Sequence, residues 1–254
     1  MRPEFRPGAG GQSVQEDLPV TQFFDHLPPN TPQLPFGMRN AEILTVVYHS
    51  TKEAAARFVP EGLNVLGNRV ILHFYNLHDA GPYGSYSELA VHIPVEHAKS
   101  GTRGAFSPML FLSSDAAIAS GRELFGQPKK AANISLVEHG DLVVARAERN
   151  GIEFVTATTP SRQKAATPAD LQRFSFGTNI NLKVIPAVDG SGDAIRQFTA
   201  RDFAGVTIHE VWEGFATVEL RPHAHAPLHL LPVVDVETAL HWRADFTATY
   251  GRVL

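Results

Sequence analysis

Short apolar runs cut by turn residues, with no long stretch of helical periodicity, set the strongest limit on what this chain can become. The runs are Ala41 to His49, Arg69 to Leu77, Ser87 to Val95 and Ala105 to Leu112, followed by Ile134 to Glu138, Leu142 to Glu148 and Ile152 to Thr159. Asn179 to Pro186, Ile195 to Ala200, Val206 to Trp212 and Ala216 to Leu220 continue the series. Their β-branched and aromatic content fits strands. Asn150-Gly151 between two of them is a strong hairpin signal, and Asp189-Gly190-Ser191-Gly192 is a tight turn. Strand following strand without a long crossover helix argues antiparallel pairing. The expected fold is mainly β (α+β): a closed or nearly closed antiparallel β-barrel or cone with a few outer helices.

Three short helices are expected. Ser50-Thr51 can cap Lys52 to Phe58, Ser113-Ser114-Asp115 can cap a helix from Ala116 to about Phe125, and Thr167-Pro168-Ala169-Asp170 can start another. Residues 1–35 are rich in Gly, Pro and polar residues, with Pro28-Pro29 and Pro32 against regular structure. They read as an extended or disordered arm, which in an oligomer could lie across a neighbouring subunit. Residues 36–254 then form a single domain, with no internal repeat or second boundary.

Charge and cysteine content narrow the function. Lys plus Arg number 22 against 26 Asp plus Glu, a formal net charge of -4, with no basic block to follow a nucleic-acid backbone. Nucleic acid is not an expected partner. With Cys 0 there is no thiol nucleophile, thiolate zinc site or disulfide framework. No apolar run approaches the roughly 18 residues of a membrane span, and the N-terminus lacks the apolar core of a signal peptide. The expectation is a soluble, cytoplasmic protein without a membrane partner.

The chemistry concentrates in Gly121-Arg122-Glu123-Leu124-Phe125-Gly126-Gln127-Pro128-Lys129-Lys130. Pro128 stops the preceding helix, leaving two lysines just past its end. In a solvated loop they would be a charged tip. In an apolar pocket, desolvation and a neighbouring like charge both disfavour the ammonium, and a neutral amine can attack a ketone to form a Schiff base.

This segment resembles the active-site stretch of the acetoacetate decarboxylase family, in which a Gly-Arg-Glu run leads to Pro-Lys-Lys. Other stretches resemble the family in the same order. They are Arg39 ahead of Val46-Val47-Tyr48-His49-Ser50-Thr51-Lys52-Glu53-Ala54, Val59-Pro60-Glu61-Gly62-Leu63, Tyr86-Ser87-Glu88 with Ile93-Pro94-Val95, His209-Glu210-Val211-Trp212-Glu213-Gly214, and His223-Ala224-His225-Ala226-Pro227-Leu228 with Leu231-Pro232-Val233. The likeness spans roughly residues 36–250. It implies that Lys129 is the Schiff-base nucleophile and Lys130 the neighbouring cation, an activation that is this family's known device and is taken here from the resemblance. It further implies that Glu88 is a pocket carboxylate, that Arg39 partners it or orients the substrate acid, and that no cofactor is needed. The partners implied are a small keto-acid substrate and further copies of the chain in a homo-oligomer.

One position departs from the family pattern. His73 stands where a second pocket carboxylate is usual, which alters the proton inventory of the site. The reading is a decarboxylase acting on acetoacetate or a related β-keto acid. The alternative is a Schiff-base aldolase or dehydratase acting on a pyruvate-like acid, in which His73 would serve proton traffic. Two further readings are a non-catalytic binding relative, and a metalloprotein using His223, His225 and His229.

Overall fold

A computed structural model describes residues 31–174 and 177–254, so most of the expected N-terminal arm lies outside the described residues. The strands are β1 (Phe36–His49), β2 (Leu63–Val65), β3 (Arg69–Leu77), β4 (Tyr86–His97), β5 (Arg103–Leu112), β6 (Lys129–Ala131), β7 (Asn133–His139) and β8 (Leu142–Arg149). There follow β9 (Ile152–Pro160), β10 (Lys164–Ala165), β11 (Thr178–Pro186), β12 (Asp193–Gly214), β13 (Thr217–Leu220), β14 (Asp235–Ala248) and β15 (Arg252–Val253). Helices are short: α1 (Lys52–Arg57), α2 (Asp115–Ser120) and α3 (Pro168–Gln172).

The large sheet has the order β2-β4-β3-β1-β14-β12-β11-β5-β6, and β4 also pairs with β5. That extra pairing turns the sheet back on itself, so β4, β3, β1, β14, β12, β11 and β5 form a nearly closed ring. Most joins are antiparallel, as expected. Two are parallel: β5 with β6, and β5 with β11 through only Asn179↔Ala105 and Ile180↔Phe106. A second, four-stranded sheet of order β13-β9-β8-β7 lies against the outside of the ring.

Period-two alternation sorts the side chains of each ring strand between two faces. On β1, β3 and β4 the outward set includes Leu44, Val46, Leu72, Phe74, Leu89 and Val91, all fully buried beneath the second sheet with Phe154, Val143 and Ala145. Phe111 of β5 meets Phe154 of β9 with ring centroids 4.8 Å apart. The inward set carries Thr45, His73, Tyr75, Glu88 and His92, which a single-layered sheet could not keep from water.

Two differences from the expected strands matter. The segments around Ile195 and Val206 are one continuous strand, β12, which bends through register shifts rather than a turn. The central strand β14 was not among the expected elements, although Val236, Thr238, Leu240, Trp242, Ala244, Phe246 and Ala248 alternate cleanly.

Removing the Phe111 ring from this double-layered core is expected to lower stability by about 3–5 kcal/mol. In urea unfolding, Phe111→Ala should move the midpoint down without changing the slope.

Candidate active site

Ser114 caps α2 by accepting from the Ala117 N–H at 3.3 Å. The helix then widens into one π-helical turn over Gly121–Phe125, ending at Gly126 with φ of 72°. The left-handed conformation suits glycine, and a Cβ there would also lie 2.2 Å from the Lys183 Cα. From this turn the chain enters β6, where Lys129 pairs with Leu110 and Lys130 with Phe111. Gly121 leaves the passage through which the Lys129 side chain runs, because a Cβ there would stand 2.6 Å from its Cδ.

Lys129 and Glu88 are 7% and 8% exposed, and the Lys129 ammonium donates to Glu88 Oε2 at 3.2 Å. They line a cavity of about 60 Å³ with Tyr75, Tyr86, Phe125 and Arg201. Burial lowers the pKa of Lys129, Glu88 opposes that shift by charge and hydrogen bond, and the Arg201 cation adds to it. Burial likewise raises the phenol pKa values of Tyr75 and Tyr86, with the Glu88 charge acting in the same direction. Both phenols stay protonated as neutral donors.

Arg201 was not among the sequence candidates. Its guanidinium lies over the rings of Phe125 and Phe203, 4.7 Å and 4.5 Å from their centroids, and its buried Nε has no hydrogen-bond partner among the described residues. Two aromatic faces hold this cation beside the amine without consuming its donors.

A family model, "Acetoacetate decarboxylase (ADC)", matches residues 25–254. Acetoacetate decarboxylase 3 of Mesorhizobium japonicum is 32% identical over 89% of this chain and 87% of its own length. The chain belongs to the acetoacetate decarboxylase family. With it, the chain joins the carboxy-lyases, enzymes that break carbon–carbon bonds. The acetoacetate decarboxylase of Bordetella avium is 33% identical over 89% of this chain and 91% of its own. The solved acetoacetate decarboxylase of Legionella pneumophila superposes with a TM-score of 0.85 at 27% identity, covering 96% of this chain and 98% of its own.

Within this family fold, the candidates drawn from the sequence separate. Lys129 and Glu88 come together. Lys130, one residue on in an extended strand, turns to the opposite face and donates to the His225 carbonyl at 3.2 Å. The cation that lines the Lys129 cavity among the described residues is Arg201 of β12, whereas Lys130 does not line it. Arg39 also differs from expectation. A bulge after Met38 and φ of 47° at Asn40 turn it outward, where it lies 3.8 Å from Asp245 with an exposed side chain instead of pairing with Glu88. His73 is half-buried and lines an adjoining, larger cavity, with Nδ1 2.8 Å from Thr45 Oγ1.

Tyr75, Tyr83 and Phe125 line the Lys129 cavity, whereas Phe74 faces the core. Of the histidines near the C-terminus, His223 has both ring nitrogens engaged. His223 Nδ1 accepts from the His225 N–H at 3.0 Å, and Nε2 lies 3.0 Å from the Arg149 carbonyl.

The charges around Lys129 fix how its reactivity responds to substitution. Acylation of Lys129 by an amine reagent, followed by peptide mapping across pH, should set in at lower pH than for an ordinary lysine. Glu88→Gln, which removes the charge favouring the ammonium, should move the onset lower still, and Arg201→Met should move it higher.

Proposed function

We propose that the chain decarboxylates a β-keto acid, acetoacetate or a relative of it, through a Schiff base on Lys129. The observation that carries this reading is a buried lysine whose amine is disfavoured as an ammonium, facing one carboxylate in a small cavity. An amine freed of its proton at lower pH is a nucleophile where an exposed lysine is not.

Lys129 Nζ bonds to the ketone carbon, and the carbonyl oxygen leaves as water after taking up protons. The resulting iminium receives the electron pair of the bond to the carboxylate carbon as carbon dioxide departs, leaving an enamine. Its terminal carbon takes a proton, water adds to the iminium carbon, and a methyl ketone leaves with the amine restored. Glu88, 3.2 Å from Nζ, is the group placed to hold and return protons during imine formation and hydrolysis. Arg201 is the group suited to orient the substrate carboxylate, because its cation is held by aromatic faces with donor capacity left over. Arg39 and Lys130 have no part in this scheme, and His73 acts outside the bond-breaking step.

Borohydride added with acetoacetate should trap a reduced adduct on Lys129 in the wild-type protein and none in Lys129→Arg, with peptide mass as the readout. Glu88→Gln should reduce carbon dioxide release by about 10²–10⁴-fold, the usual span for loss of an acid–base group. No adduct on Lys129 with any keto acid would overturn the reading.

A further inference from the structure

Behind the Lys129 cavity lies a second chamber of about 490 Å³, roughly eight times larger. Tyr75, His92, Asn179, Phe203 and Phe246 line both, so the two cavities adjoin. The first has the scale of a few-carbon acid, whereas the second falls in the range of roughly 300–1,000 Å³ that holds much larger ligands.

The walls of the larger chamber define what it can take. Ile43, Leu171, Phe174, Ile208 and Phe246 supply apolar surface, and no carboxylate, ammonium or guanidinium is among its described lining residues. Several polar lining groups are already engaged with the wall. Trp242 Nε1 donates to Thr45 Oγ1 at 2.9 Å, and Thr45 Oγ1 is 2.8 Å from His73 Nδ1. Asn179 Nδ2 donates to the Ala105 carbonyl and to Ser107 Oγ, at 3.2 Å and 2.7 Å, and its Oδ1 accepts from Asn181 at 2.8 Å. His73 and His92, 5.1 Å apart, are half-buried side by side in the chamber wall, and desolvation there holds both neutral near pH 7. A charged tail would find no counter-charge there and would be stripped of water.

We infer that this chamber is the subsite for the acyl tail, and that the preferred substrate is a β-keto acid with an uncharged alkyl chain well beyond the methyl group of acetoacetate. The inference rests on the Schiff-base reading, since it is attachment at Lys129 that directs the group on the far side of the ketone into the chamber. The reaction is unchanged in its balance: the long-chain 3-oxo carboxylate and one proton give carbon dioxide and the corresponding long-chain methyl ketone.

The test is a series of 3-oxobutanoate, 3-oxohexanoate, 3-oxooctanoate and 3-oxodecanoate, with 3-oxohexanedioate as the charged-tail control, compared by kcat/KM for carbon dioxide release. Each methylene leaving water is worth a factor of roughly four, so even partial burial should raise kcat/KM at least about tenfold from the shortest to the longest acid. The dioic acid should fall below 3-oxohexanoate. Leu171→Trp and Ala105→Leu, which fill the chamber from different walls, should each collapse the ratio between longest and shortest acids toward one. A flat or falling profile with chain length, while 3-oxobutanoate is turned over and trapped on Lys129, overturns the inference and leaves the Schiff-base reading standing. Failure to trap any member of the series overturns both.

Discussion

The withdrawal of one lysine amine from water, opposite one carboxylate, is the constraint to which the rest of the molecule answers. Moving charged groups into a protein interior costs several kcal/mol per ion even after relaxation. The Lys129 and Glu88 pair relieves part of that by mutual attraction at 3.2 Å. Arg201 acts against the ammonium from the other side, so the amine is contested rather than settled. A ring of strands wrapped by a second sheet meets the demand. Its outer face builds a dense apolar core, which leaves the inner face free to carry groups that would otherwise destabilise it.

Much of this architecture was legible from the residues. The turn-punctuated strands, the capped helix and the sharp stop at Pro128 all have local causes, and local causes survive into the fold. Strand β14 carried an equally clear alternation. Its polar positions His241, Arg243 and Asp245 look like surface, yet they find partners across neighbouring strands in Glu42, Glu210 and His209, at 3.0, 3.2 and 3.1 Å. Pairings of that kind join residues far apart in sequence, and no local pattern announces them.

The site was legible in part for the same reason. Lys129 and Glu88 sit in distinctive strings, so family likeness points to them directly. Lys130 illustrates how adjacency in sequence misleads in extended chain, where successive side chains point to opposite faces. Arg201 shows the converse: it sits beside Asp202 in a strand, like many surface arginines, and only the ring's curvature brings it over Phe125. The cation found in the Lys129 cavity lies instead on β12, some seventy residues on.

The histidine couple in the chamber wall sets how the larger chamber responds to pH. His92 is held down to about 4 and His73 well below its ordinary value, in both cases chiefly by burial, so neither gains a proton until the medium is strongly acidic. The larger chamber therefore keeps a constant electrical character while the amine next door changes its own. In the proposed reaction, acidity acts on the amine end of the interior without altering what the other end takes in, which makes rate and selectivity separate properties.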